Sequence, residues 1–147
     1  MKVMIIGGGG REHAIAWKLA GSRETERILC VPGNGGTAGI PVCENLAAEG
    51  AEAQVELAIR EGVDLVIVGP EVPLVAGVAD AMRERGIAVL GPGRRAAMLE
   101  GSKVYAKEFM RRHGVRTPSG VRFDRGDHEQ AAAYIRGFGC PVVVKAD

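Results

Sequence analysis

The apolar run Val3-Met4-Ile5-Ile6 passes directly into four glycines, Gly7 to Gly10, and then into Arg11-Glu12-His13 and Ala14-Ile15-Ala16-Trp17-Lys18-Leu19. No other feature limits the chain as strongly. Four apolar residues bounded by glycine read as a buried strand, and Ile15 with Leu19 four positions on marks one face of a helix. The predicted unit is strand, tight turn and helix. Glycine lets the turn take positive φ and lets a ligand approach the backbone. The helix aims its unpaired N–H groups and the positive end of its dipole at that turn. The chain therefore begins by building an anion cradle.

Three readings of the cradle compete. A dinucleotide fingerprint, G-x-G-x-x-G, fails at its third glycine, which is Glu12 counted from Gly7 and His13 counted from Gly8. It also wants an acid after the next strand, to hold the ribose. That strand, Ile28-Leu29-Cys30-Val31, ends instead in Pro32-Gly33-Asn34. A turn that binds nothing needs fewer than four glycines. A phosphate or phosphosugar site needs what is there.

The same unit recurs along the chain. Strands are expected at Lys2–Ile6, Arg27–Val31, Leu65–Val68 and Ile87–Leu90, with a short extra one within Val42–Asn45. Helices are expected at Arg11–Ala20, Glu52–Arg60 and Pro73–Arg85, with Gly62 and Gly86 closing the last two. Strands that are apolar on both faces and alternate with amphipathic helices give an α/β fold, an open, mostly parallel sheet with helices on both faces.

Ligands in such sheets bind beyond the carboxyl ends of the strands. The turns there carry Gly8, Gly9, Gly10, Arg11, Glu12, His13, Asn34, Glu71, Arg94 and Arg95. Donors for a phosphate gather on one side. Glu71 reads either as a carboxylate for sugar hydroxyls or as a stabiliser of a helix N-terminus. His13 reads as structural, and Arg94 and Arg95 as solvated charges.

The 147 residues suffice for one domain or for one and part of another. With 46% apolar and 25% charged residues the composition suits a soluble globular core. A net charge of +1 gives no reason to expect nucleic acid or a membrane as partner. No apolar run approaches a membrane span, and the first residues lack the shape of a signal peptide. Three cysteines without metal-ligand spacing read as reduced thiols of a cytoplasmic protein.

A second region starts near Gly101. Ser102 suits the N-cap of a helix running to about His113, with Tyr105, Ala106, Phe109 and Met110 on its apolar face and Lys103 and Lys107 on its flank. A strand is expected at Val121–Phe123, a helix at Glu129–Phe138, and a strand at Pro141–Lys145. On that last strand Lys145 shares a face with Val143. A lysine on a covered face calls for an anion, so Lys145 is expected to meet a phosphate-bearing ligand, the alternative being that it sits at a frayed, exposed end. A strand without visible neighbours suggests that residues 102–147 begin a domain whose remainder lies elsewhere.

The motifs taken together resemble the N-terminal part of the glycinamide ribonucleotide synthetase (phosphoribosylamine–glycine ligase) family of the ATP-grasp superfamily, over all 147 positions. The resemblance rests on Ile5–Ala14, Pro32–Thr37, Val68–Leu74, Leu99–Lys103 and Val144–Asp147, in order and at the right spacing. It implies a Rossmann-like pre-ATP-grasp domain at 1–101 and the incomplete start of an ATP-grasp domain at 102–147. It implies ATP-dependent ligation of glycine to 5-phosphoribosylamine through a glycyl phosphate, in purine biosynthesis. ATP and magnesium would take part, with the metal ligands outside these residues, and this segment by itself would be inactive. Gly8, Gly9, Gly10, Arg11, Glu12, Asn34 and Glu71 would line the phosphoribosylamine side. Lys107 and Lys145 would contact ATP, and Lys103 belongs to the same motif. Two positions depart from the family pattern: Gly8 stands where Asn is common, and Gly93 where Ser or Thr is common. Rival classes are a nicotinamide-dependent oxidoreductase and a non-catalytic phosphosugar-binding module.

Overall fold

The computed structural model describes residues 1–147. The chain divides into two compact units, Met1–Met98 and Leu99–Asp147. The first carries five strands: β1 (Lys2–Gly7), β2 (Arg27–Pro32), β3 (Cys43–Asn45), β4 (Leu65–Val68) and β5 (Ala88–Leu90). They form one sheet in the order β3-β2-β1-β4-β5, parallel at every pairing. Between them run α1 (Gly10–Ala20), α2 (Gly35–Ala38), α3 (Gly50–Glu61), α4 (Glu71–Ala76) and α5 (Val78–Glu84).

Alternation along the strands builds two cores. Val3, Ile5, Ile28, Cys30 and Ile67 face α1 and its buried Ala16. Met4, Ile6, Leu29, Val31, Val66 and Val68 face the other way, onto Val55, Leu57 and Ala58 of α3, Leu74 of α4, and Val78 and Met82 of α5. The central strand β1 is buried from Val3 to Gly7. Each fully buried aliphatic side chain contributes roughly 1.5–3 kcal/mol by leaving water. That burial holds the sheet rigid beneath the turns at its carboxyl edge.

The helix expected at Pro73–Arg85 is two helices. Gly77, at φ +97°, breaks it in a left-handed conformation that only glycine adopts cheaply. α4 begins earlier, at Glu71, so Pro73 lies in the first turn, where its missing N–H costs nothing. The turn after β5 leads into a further helix, α6 (Arg94–Gly101). Asp80 explains its start, because its Oδ2 accepts the Arg94 N–H at 2.7 Å. A cap supplied from 14 residues away leaves no local signature.

The second unit holds α7 (Lys103–Arg112) and α8 (His128–Phe138). Ser102 caps α7, its Oγ accepting the Tyr105 N–H at 3.0 Å. The strands expected at Val121–Phe123 and Pro141–Lys145 are absent. A strand exists through ladder hydrogen bonds to a neighbour, and this unit contributes none. Val143 and Val144 are exposed, and Lys145 lies in solvent rather than on a covered face. No helix of the chain is long and apolar enough to cross a membrane.

Candidate phosphosugar site

In the strand order, the chain leaves β1 toward β2 and β3 on one side and places β4 and β5 on the other. The crevice between β1 and β4 is the switch point, where open α/β sheets take their ligands. Two turns border it, Gly8–Gly9 after β1 and Gly69–Pro70 after β4. Gly8, Gly9, Gly10 and Arg11 are exposed there. The first amides of α1 have no partner within the helix and point outward at that mouth. Beside them an open groove of about 560 Å³ is lined by Arg11, Ile15, Val68, Gly69, Leu90 and Pro92.

Glu12 is buried although charged, with its side chain only 4% exposed. Its Oε2 accepts the Gly9 N–H at 2.7 Å and its Oε1 accepts the Arg11 Nε–H at 3.0 Å. The carboxylate occupies the space a Cβ would need at Gly7 or Gly69. It therefore locks the β1 turn against the β4 turn and orients Arg11, whose side chain stays 59% exposed.

Asn34 ties the β1 turn to the β2 turn. Its Nδ2 donates to Gly8 O at 3.0 Å and Gly9 O at 3.2 Å, while its Oδ1 accepts the N–H groups of Gly36 and Thr37 as the N-cap of α2. The two turns approach so closely that a Cβ on Gly8 would stand 2.7 Å from Gly33 O. An asparagine at position 8 needs a different turn from this one. Similarly a Cβ on Gly93 would meet Asp80, the cap of α6. His13 fills the space over Gly36 with its ring, which fits its structural reading.

Glu71 opens α4, half-buried, and takes part in none of the chain's ion pairs. Arg94 and Arg95 are exposed at the start of α6. In the second unit, Lys107 Nζ donates to Thr117 Oγ1 at 2.8 Å and to Pro118 O, which leaves one N–H free. Lys103 is exposed, as is Lys145. Asp147 accepts the Ser102 hydroxyl at 2.7 Å and the Val104 N–H at 2.9 Å. The Val104 amide first, then the Ser102 hydroxyl, hold its carboxyl below the usual 3.8.

Three residues at the site escaped the sequence reading. Thr37 is fully buried and hydrogen-bonded to Asn34 and Asn45. Asn34-x-x-Thr37 has capping-box spacing, which was a legible signal. Asn45 sits in the stretch with the least periodicity, and nothing local marks it. Cys30 lies under the same turn with its Sγ 3.2 Å from that of Cys43. Burial, then the Cys43 neighbour, push its thiol up to about 12, and all three cysteines are free.

The description "Phosphoribosylglycinamide synthetase, N domain" fits residues 1–100. Phosphoribosylamine–glycine ligase of Clostridium acetobutylicum is 45% identical over 147 residues, covering 100% of this chain and 35% of that protein. The ligase of Allochromatium vinosum is 51% identical over 149 aligned residues, covering 100% of this chain and 34% of that protein. The crystal structure of the Thermotoga maritima ligase superposes with a TM-score of 0.63 at 33% identity, over 95% of this chain and 31% of that one. A biotin carboxylase domain of a thermophilic 2-oxoglutarate carboxylase reaches the same TM-score at 23% identity and shares the fold. The chain spans about a third of the length of the relatives it matches. With its glycine turn, its switch-point crevice and a match across two-thirds of its length, the chain belongs to the phosphoribosylglycinamide synthetase N-domain family.

Proposed function

We propose that this chain supplies the phosphoribosylamine side of an ATP-dependent ligase that joins glycine to 5-phosphoribosylamine. The observation that carries the reading is the open first turn of α1 behind an exposed glycine turn, at the switch point of a parallel sheet. The free amides of that turn and the Arg11 guanidinium take the 5′-phosphate. Glu71 accepts the ribose hydroxyls. Glu12 and Asn34 act behind them by fixing the turns.

In the reaction the γ-phosphoryl group of ATP passes to the glycine carboxylate, giving glycyl phosphate and ADP. The amine of phosphoribosylamine attacks the acyl carbon, the C–O bond to phosphate breaks, and the amine loses a proton as glycinamide ribonucleotide forms. The acyl phosphate makes a poor leaving oxygen into a good one, and the protein's share is positioning and charge neutralisation. Lys107, with one N–H unspent, and the exposed Lys145 are the ATP-phosphate contacts in this reading. Magnesium, when bound, would neutralise phosphate charge. No three His, Cys, Asp or Glu side chains gather in this chain to hold it.

The test is ADP release by the ligase that contains this segment, with glycine and phosphoribosylamine supplied together or singly. Release that needs both supports the reading, and release indifferent to glycine ends it. The 147-residue chain alone is expected to release none.

A further inference from the structure

We propose that Thr37 and Asn45 are positioning residues of the phosphosugar site, acting through Asn34 to set the shape of the glycine turn; the proposal rests on the phosphosugar reading above. Asn34 can reach both Gly8 O and Gly9 O only while its own backbone is held. Thr37 and Asn45 do the holding. The Asn34 N–H donates to Thr37 Oγ1 at 2.8 Å, and Asn45 Nδ2 donates to Asn34 O at 2.8 Å. The Thr37 hydroxyl closes the ring by donating to Asn45 Oδ1 at 2.7 Å. With Asn34 O already served by Asn45, every polar atom of this partly buried ring is matched when that hydrogen points at Asn45.

The ring joins three elements. Asn45 ends β3, Thr37 lies in α2, and Asn34 lies in the turn after β2. A Cβ at Gly33 would collide with the Asn45 amide, so the turn is seated directly on that side chain. From there the linkage runs through Asn34 Nδ2 to the carbonyls of Gly8 and Gly9, whose peptide planes set where the next amides point. An edge strand thus governs the glycine turn two strands away. Losing one member leaves a partly buried donor or acceptor unpaired, which favours a shifted turn.

The chemistry predicts asymmetric effects. Thr37→Ser keeps the hydroxyl and should behave as the parent. Thr37→Val keeps the shape but strands the Asn34 N–H and Asn45 Oδ1. Asn45→Asp keeps an acceptor for Thr37 but turns an oxygen toward Asn34 O.

Ribose 5-phosphate, titrated into the 147-residue chain and followed by the amide resonances of Gly8 to Arg11, tests this. Melting of each variant controls for fold. The expected result is a Kd weakened roughly ten-fold or more in Thr37→Val and Asn45→Asp, the factor that follows from about 1.4 kcal/mol, with Thr37→Ser restoring the parent value. Gly8 and Gly9 amides should shift in the two disruptive variants before ligand is added. Parent-like Kd and parent-like Gly8 and Gly9 resonances in Thr37→Val overturn the positioning role while leaving the site reading intact. Parent chain that shows no response at Gly8–Arg11 overturns the site reading, and the proposal with it.

Discussion

Met1–Met98 and Leu99–Asp147 have similar local vocabulary and different outcomes. Both carry short apolar runs flanked by glycine or proline, such as Leu65–Val68 in the first and Pro141–Val144 in the second. In the first unit the run becomes a strand paired on both sides, with Val66 fully buried between two layers of helix. In the second it remains irregular, with Val143 82% exposed, and Ala106 is the unit's one buried residue. A helix satisfies its backbone from within, so α7 and α8 form wherever their sequences allow. A strand takes its hydrogen bonds from another segment, so the same apolar pattern is a strand only in company.

The contrast is sharpest in hydrogen exchange. Amides of β1, β2 and β4 should exchange roughly a thousand-fold or more slowly than those of Val142–Lys145, the gap between global and local opening. Comparable protection in the two stretches would break the comparison. Next in size is core truncation. Leu29→Ala, at a fully buried position, should cost about 3 kcal/mol in urea unfolding. Val143→Ala should stay within about 0.5 kcal/mol.

Within the first unit, Gly8→Ala should lose about 1–3 kcal/mol, because its Cβ meets Gly33 O and a backbone has to move. Gly10→Ala meets nothing within 4 Å and should gain about 0.5–1 kcal/mol from helix propensity. In the second unit, Ser102→Ala should cost α7 about 1 kcal/mol, read as lost helicity on heating.

The smallest effect is acidic fraying at the start of α7. Asp147 has its pKa lowered in the folded chain by the Val104 amide first and the Ser102 hydroxyl second, so its contribution is complete above the ordinary value of 3.8. It is lost as pH falls below that value through the lowered one. Faster exchange of the Val104 amide in that acidic window is the expected outcome, and Asp147→Asn should remove the pH dependence. An unchanged profile would assign α7's start to Ser102 alone.

Much of the first unit could be read directly. Strand-glycine-helix at Val3–Leu19 needs only local pattern, since four apolar residues, a turn that tolerates positive φ and an i, i+4 face specify their own conformations. The same holds for β2, β4, α3 and the Ser102 cap. The break at Gly77 and the start of α6 were not legible. Whether a glycine inside an apolar helix breaks it depends on what α4 and α5 pack against, and α6 depends on an aspartate in another helix.

The same division runs through the site. Sequence alone determined that a glycine turn and an open helix N-terminus follow β1, because glycine spacing and a helix start are properties of adjacent residues. It also determined which charged and polar groups stand at the strand ends. Only the tertiary structure decided what those groups do. Glu12 and Asn34 look alike with Arg11 and Glu71 on paper, but the first two spend their polar atoms bracing the turns, while Arg11 stays exposed beside the crevice and Glu71 joins no ion pair. Thr37 reaches Asn34 within one turn of chain, but Asn45 meets both only because β3 pairs with β2. A hydrogen-bond partner is a matter of distance in space, and spacing along the chain encodes that distance only within a turn or two.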